Sequence, residues 1–312
     1  MKILVTGSTG FVGSNVMELA HLKAWECLGQ CRTLKSGMNA HHYIVTQINA
    51  STDWSFALGG VDCVVHCAAR VHQMPETERE ALSLYREVNT AGSLNLARQA
   101  VAAGVKRFIF LSSIKVNGES TSDGSPFSAF DNRLPEDSYG ISKSEAEEQL
   151  LALGKKTGME IVIIRPPLVY GEGVKANFSA LVKLVGKGFP LPFRAINRNK
   201  RSLVSVYNLV DLIGVCIDHP KAANQVFLVS DDNDLSTSQM VALMASVQGK
   251  VNLSLPVPVW CFKITGKIFK KETVVDRLVG SLQLDIEHTK NTLDWAPPYS
   301  VEHGFRLAAR KH

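Results

Sequence analysis

Nothing in this 312-residue sequence approaches the unbroken apolar length of a membrane span, and aromatic residues make up only 7% of it. A metal centre is not expected either. The six cysteines (Cys27, Cys31, Cys63, Cys67, Cys216 and Cys261) lack the tight Cys/His spacing on turns that zinc sites show. Cys27 and Cys31, like Cys63 and Cys67, fall in apolar strand-like segments, which predicts buried, reduced thiols. The charged leader and small-residue cleavage site of a signal peptide are also missing, since MKILVTG reads directly as a strand, and a cytoplasmic protein is expected. Acidic residues are absent from two informative places. One is the end of the second strand, Gln30-Cys31-Arg32; the other is the whole stretch between Gly173 and Val210.

What remains is ordinary for a soluble globular chain: 45% apolar, 20% charged and a net charge of +5. The first half alternates strand-like runs with helical patterns. KILVT precedes a helix from about Phe11 to Ala20, followed by ECLGQC, YIVTQI and VDCVVHCAA. A long helix from about Glu76 to Ala103 then leads to RFIFLSS, a helix from about Tyr139 to Thr157, and EIVIIRP. Near-continuous apolar strands separated by helices predict a parallel sheet covered on both faces, with right-handed connections. After Arg165 the pattern loosens into PPLVYGEG and GKGFPLPF, and QVFLVS is expected to return to the sheet. The predicted class is α/β: a Rossmann-type doubly wound parallel sheet with a smaller interleaved C-terminal substrate domain. The expected division is a dinucleotide-binding domain over 1–167, with returning segments near 202–232, and a mainly substrate-binding domain over 168–312.

Between the first strand and its helix lies Gly7-Ser-Thr-Gly10-Phe11-Val12-Gly13. Gly7 allows a tight turn, Gly10 lets the backbone approach a pyrophosphate, and Gly13 lets the helix pack closely on the strand. The helix opening at Phe11 and Val12 offers unpaired N–H groups to that phosphate. The missing carboxylate at the end of the second strand removes the usual ribose partner of NAD, and Arg32 could pair with a 2′-phosphate. NADP is therefore expected in preference to NAD, the alternative being that Arg32 simply points to solvent.

These pieces resemble the extended short-chain dehydrogenase/reductase superfamily over essentially the whole chain. The signatures are GSTGFVG, HCAA at 66–69, LSSIKVNG at 111–118, YGISK at 139–143 and RPPLVYG at 165–171. The branch looks like the nucleotide-sugar epimerases, dehydratases and 4-keto reductases. Arg70-Val71-His72, SSIKVNGE, RPPLVYGEGVKANF and LDIEHTKNTLDWAPPYSVEHG look like the bacterial group linked to UDP-N-acetylquinovosamine synthesis, whose members are often labelled UDP-glucose 4-epimerase. The resemblance implies Ser113, Tyr139 and Lys143 as catalytic residues, with Ser112 a weaker candidate placed near substrate. It sets Ala68, Ala69, Pro166 and Pro167 along the cofactor. Asn89, grouped with the cofactor site, takes a structural role in the following helix. Asn177 and Phe178 match a substrate-backbone contact, Arg201 a diphosphate-binding arginine, and Arg277 a second one. Asn117 departs from the pattern, where VYG would be commoner. A homodimer through the helices near 76–103 and 139–157 follows by analogy.

The chemistry needs Tyr139 and Lys143 on one helix face, which a spacing of four supplies. A phenol titrates near ~10, and lowering that by about three units needs roughly 4 kcal/mol of preferential phenolate stabilisation. A partly buried ammonium, with oxidised nicotinamide, is expected to supply it, so that Tyr139 exchanges a proton with the sugar while hydride moves at nicotinamide C4. The acid-free stretch carries Lys175, Lys183, Lys187, Arg194, Arg198, Lys200 and Arg201, suited to a nucleotide-sugar diphosphate or otherwise a solvated basic face. No nucleic-acid module accompanies it. In 258–271, Trp260, Ile264 and Ile268 repeat at helical spacing beside Lys263, Lys267 and Lys271. Core packing is the expected role of that stripe, with peripheral membrane attachment the alternative.

Three functions fit these residues. The leading expectation is reduction at C4 of a UDP-4-keto-6-deoxy-N-acetylhexosamine in bacterial surface-polysaccharide synthesis. The second is a UDP-hexose 4-epimerase acting on UDP-glucose or UDP-N-acetylglucosamine. The third, a non-enzymatic dinucleotide sensor, has no need for the Ser113/Tyr139/Lys143 proton shuttle.

Overall fold

The computed structural model describes residues 1–310 apart from 35–38, 72–76, 123 and 175–176. His72, Glu76 and Lys175, named above, lie outside the described residues, and of Asn177 only the backbone is described. The chain begins β1 (Lys2–Thr6), α1 (Phe11–Leu22), β2 (Glu26–Cys31), β3 (Tyr43–Val45), α2 (Ser55–Leu58) and β4 (Cys63–His66). A long helical run follows: α3 (Glu78–Tyr85), a π-helical turn (Arg86–Gly92) and α4 (Ser93–Ala102). Then come β5 (Arg107–Leu111), α5 (Ser138–Thr157) and β6 (Glu160–Arg165).

The second half contains β7 (Leu168–Tyr170), α6 (Asn177–Gly186), β8 (Leu203–Ser205), α7 (Val206–Asp218) and β9 (Gln225–Leu228). It ends with α8 (Thr237–Val247), α9 (Val259–Ile268), α10 (Glu272–Val279), α11 (Glu287–Leu293) and α12 (Val301–Ala309).

Seven strands form one parallel sheet in the order β3-β2-β1-β4-β5-β6-β9. Alternate side chains along each central strand enter opposite cores. Ile3 and Val5, Cys63 and Val65, Ile109, and Val162 and Ile164 face one core, with α1 and α7. Leu4, Val64, Phe108 and Phe110, and Ile161 and Ile163 face the other, with α2, α4 and α5. A strand buried on both faces reads as a continuous apolar run for this reason. Each isoleucine of β6 is fully enclosed, and burial of such a side chain contributes about 1.5–3 kcal/mol. The doubly wound parallel sheet is thus as expected.

QVFLVS does return to the sheet, as β9 beside β6. The preceding segment divides: β8 pairs with β7 in a separate two-stranded sheet, while α7 packs against α1 under the main sheet. A third core, including Tyr170, Phe178, Val301 and Phe305, underlies the second half of the chain.

Three expectations change. The helix expected over 76–103 is interrupted by the π turn at 86–92, a feature often found at functional positions. Of the cysteines, all free, Cys31, Cys63 and Cys216 are buried but Cys27, Cys67 and Cys261 are only partly covered. The stripe expected in a core is open: Trp260 is 63%, Ile264 50% and Ile268 69% exposed. Its helix α9 buries only Gly266. Among the described residues, no helix is long and apolar enough to cross a membrane and no cluster of three metal-binding side chains occurs.

Candidate active site

β1 and β4 are neighbours whose onward helices pack on opposite faces of the sheet, the switch point beyond whose strand ends ligands bind in such sheets. Gly7 follows β1 with φ +64°, and a Cβ there would come within 2.8 Å of the Ala68 backbone. At Gly13 a Cβ would come within 2.3 Å of the Gly7 carbonyl oxygen. Both contacts explain why the loop approaches its surroundings as bare backbone. Gly10 is the N-cap of α1 and supplies no side-chain cap, leaving the first N–H groups of that helix for another acceptor. Phe11 and Val12 direct their side chains into packing against the core, so backbone N–H is what they offer. This cradle fits a dinucleotide pyrophosphate.

Gln30, fully buried in β2, anchors the loop by accepting from Gly7 N at 3.0 Å and donating to the Thr46 carbonyl at 2.6 Å. Arg32 lies just past β2 and is exposed.

The end of β4 is fixed by a directional chain of hydrogen bonds. Ser93 Oγ donates to the Asn89 carbonyl at 2.7 Å, so it must accept from His66 Nε2 at 2.8 Å. His66 Nδ1 then accepts from Thr6 Oγ1 at 2.7 Å, and Thr6 Oγ1 accepts from Ala68 N at 3.3 Å. His66 is buried, and burial followed by the Lys143 charge pushes its pKa down to about 3, so it stays neutral. Asn89 accepts from Arg70 N at 2.8 Å and donates to the Arg70 carbonyl at 3.2 Å and Ser142 Oγ at 3.0 Å. Both ends of its amide are thus committed to protein. It ties the loop of Ala68 and Ala69 to α5, a structural part rather than a ligand contact. His66, Ser93 and the π turn were not singled out from sequence. The HCAA signature marked the place, but not the bonding.

α5 begins at the N-cap Asp137, which accepts from Gly140 N at 2.7 Å. Its first turn abuts the next loop so closely that a Cβ on Gly140 would lie 2.8 Å from the Lys115 carbonyl. One turn later Lys143 Nζ donates to the Leu111 carbonyl at 2.8 Å and lies 4.2 Å from the Phe110 ring centroid. Ser113 lies in the chain between Leu111 and Lys115, the two residues whose carbonyls meet this part of α5. Among the described residues the Ser113 hydroxyl receives only a long 3.3 Å contact, from Lys115 N. Ile114 N donates to the Pro166 carbonyl at 3.0 Å, fixing that turn against the end of β6.

The chain's own electrostatics supply none of the lowering expected of Tyr139 from Lys143 and oxidised nicotinamide together. Burial, then the charges of Asp137 and Tyr85, push the Tyr139 phenol up, not down. Lys143 is buried, and desolvation pushes its pKa down to about 7 against the attraction of Glu147 and Cys67. The chain's own groups therefore do not create the phenolate; they prepare a lysine that titrates near neutrality.

Ser112 does not suit the substrate contact expected of it. It is buried and donates to Glu147 Oε1 at 2.5 Å. Glu147, two turns beyond Tyr139 on α5, forms a fully enclosed ion pair with Arg165, whose Nη2 lies 2.5 Å from Glu147 Oε2. Arg165 Nη1 donates to Asn117 Oδ1 at 3.0 Å, and Asn117 Nδ2 donates to the Ser128 carbonyl at 3.1 Å. The departure at Asn117 is thus a bridge from the buried ion pair to the loop beyond Ser113. Glu147 and Arg165 sit on different elements, so only the fold joins them.

In the region expected to take substrate, Phe178 belongs to the core, stacked 5.2 Å from Tyr170, which leaves its backbone for any contact. Among the described cations of the acid-free stretch, Lys183, Lys187, Arg194, Arg198 and Lys200 are exposed, while Arg201 is drawn in. Burial and then Arg277 push the Arg201 pKa down, with Glu119 opposing them. Arg201 Nη1 donates to the Gly280 carbonyl at 3.3 Å. Arg277 lies 3.6 Å from Glu119, which pairs at 2.6 Å with Lys115. Lys115 also holds Asp137, so the two arginines connect through charges to the start of α5.

The chain matches the model of the NAD dependent epimerase/dehydratase family over residues 3–230. It is 58% identical to a Vibrio cholerae UDP-glucose 4-epimerase over 310 residues, covering 99% of this chain and 94% of the relative. It is 29% identical to an Escherichia coli O157:H7 N-acetyl-alpha-D-glucosaminyl-diphospho-ditrans,octacis-undecaprenol 4-epimerase, covering 97% of this chain and 92% of the relative. Its fold is similar to that of a Thermotoga maritima UDP-glucose 4-epimerase solved with UDP-glucose, with a TM-score of 0.78 and 24% identity over 99% of this chain and 97% of that one.

Proposed function

The chain belongs to the NAD dependent epimerase/dehydratase family, and from that premise we propose that it is a UDP-hexose 4-epimerase retaining NAD. The observation that carries this reading is the similarity to the Vibrio cholerae UDP-glucose 4-epimerase across 99% of the chain. Bound NAD would supply the hydride acceptor and donor for C4 of the sugar. Gly7, Gly10 and Gly13, with the N–H groups of Phe11 and Val12, would hold its pyrophosphate, and Ala68, Ala69 and Pro166 would flank it.

Tyr139 removes the proton from the C4 hydroxyl and gives it back, Ser113 holds that oxygen in line, and Lys143 exchanges protons beside them. The protein surroundings raise Tyr139, so its lowering would fall to the positive charge that a bound oxidised nicotinamide supplies. Arg201 and Arg277 bind the diphosphate, and the backbone at Asn177 and Phe178 borders the sugar nucleotide. NAD replaces the NADP expected from Arg32, supported by the family's own description; Arg32 is an exposed side chain at a strand end.

The reductase reading uses the same Ser113, Tyr139 and Lys143, so the test must follow the cofactor. Purified protein is incubated with UDP-glucose and with UDP-N-acetylglucosamine, without added reductant, and C4 epimers are followed by proton NMR. Epimer formation at constant reduced-nicotinamide absorbance is expected. No epimer, with stoichiometric consumption of NADPH or NADH on a UDP-4-keto-6-deoxy-N-acetylhexosamine, would overturn the proposal in favour of the reductase.

A further inference from the structure

α9 and α10 form a helical hairpin packed through Gly266, where a Cβ would lie 2.7 Å from Val275 Cγ2. Everything else large on α9 is turned outward or only partly covered. Trp260, Ile264 and Ile268 share one exposed stripe, continued by Phe269, which is 70% exposed at the turn. Lys263, Lys267, Lys270 and Lys271 are exposed beside them, with no acidic residue between 259 and 271. Such a face is too apolar for water alone and too cationic for a protein core.

We propose that the α9–α10 hairpin docks this protein on an anionic lipid bilayer. Trp260, Ile264, Ile268 and Phe269 enter the boundary between headgroups and acyl chains, and the lysines lie along the lipid phosphates. A second copy of this chain fits the face less well, because a self-complementary contact would bring its lysines together. The hairpin is joined to the substrate end of the active site. α10 carries Arg277, 3.6 Å from Glu119, and Arg201 donates to Gly280 just beyond α10. Docking would therefore hold the sugar-diphosphate end near the membrane surface. Lipid docking goes beyond the epimerase reading, while the placement of the sugar-diphosphate end rests on that reading.

The test is flotation of the full chain with phosphatidylglycerol-rich phosphatidylethanolamine vesicles and with pure phosphatidylcholine vesicles. The protein is expected to float with the anionic vesicles only, and to be released by salt. K263E/K267E should lower apparent lipid affinity by at least about fivefold per lysine, the equivalent of ~1 kcal/mol each. W260S should weaken it separately, while turnover on soluble UDP-sugar stays unchanged in both variants. Wild-type protein that remains in the dense fraction, or variants that float as wild type does, would overturn the proposal. A dimer in sedimentation that K263E/K267E alters, without flotation, would also overturn it and assign the face to a second copy.

Discussion

The rim of the main sheet and the α9–α10 hairpin treat polar and apolar groups in opposite ways. At the rim, side chains that prefer water are enclosed: His66, Asn89, Lys143, Glu147 and Arg165 are all buried, and each has a hydrogen-bond partner. In the hairpin, side chains that avoid water are left outside, with Trp260 and Ile268 more than half exposed. Burial of a polar group is tolerable only when its partners are fixed, so the rim makes loops from distant parts of the chain rigid around α5. Exposure of an apolar stripe carries no such demand for internal order. It leaves a surface whose complement lies elsewhere.

The sharpest way to break this contrast is at the reacting end of α5. Tyr139→Phe should lower turnover by about 10²–10⁴-fold, the usual contribution of a positioned acid–base group. Its thermal midpoint should stay near wild type, because the phenol oxygen supports no buried network. Turnover close to wild type would remove Tyr139 from the mechanism.

Next in size is the buried ion pair. Glu147→Gln leaves Arg165 enclosed without its carboxylate and should destabilise the fold by about 3–5 kcal/mol in urea unfolding. The same substitution should disturb Ser112 and the loop through Asn117. A loss below about 1 kcal/mol would show that the pair is not enclosed in solution.

A pH series separates the two buried bases. The folded pKa of His66 is pushed below its ordinary value to about 3, so the unfolded chain takes up that proton first as pH falls. Its contribution to stability is complete above pH ~6.5 and is lost progressively down to about 3. Lys143 is likewise depressed, to about 7, and for it stability rises as pH climbs from about 7 toward the ordinary lysine value. Urea midpoints across pH should show both slopes, and His66→Gln should flatten the acidic one while Lys143→Met flattens the alkaline one. Unchanged slopes in either variant would contradict the burial assigned to that residue.

The smallest effect belongs to the hairpin. Trp260→Ser should change stability by no more than about 0.5 kcal/mol, as for other exposed positions. A loss as large as that of Glu147→Gln would mean that α9 is part of a core after all.

How far the sequence could be read follows the same contrast. The strands were legible because a parallel sheet buried on both faces must be apolar at nearly every position. The glycine loop was legible because its spacing carries backbone geometry. Tyr139 and Lys143 share a helix, and a period of 3.6 places them on one face without further information. The π turn at 86–92 left no local mark, since its residues continue an ordinary helical pattern. Glu147 and Arg165 lie on α5 and β6, and only the packing of those elements brings them together. The raised Tyr139 was missed for a related reason: spacing sets Tyr139 and Lys143 on one helix face, but says nothing of the burial that raises the phenol. At Trp260 the periodicity correctly grouped a stripe, yet periodicity says nothing of whether another element covers it. That was the misreading of 258–271.

In a 4-epimerase that retains NAD, hydride leaves and re-enters the same carbon. UDP-glucose deuterated at C4 tests it directly, with the product C4 position read by NMR and mass spectrometry in the presence of unlabelled NADH. Retention of deuterium at C4 of the epimer is the predicted result. Hydrogen at that carbon, drawn from the added NADH, would contradict it by showing that the cofactor is released and exchanged between oxidation and reduction.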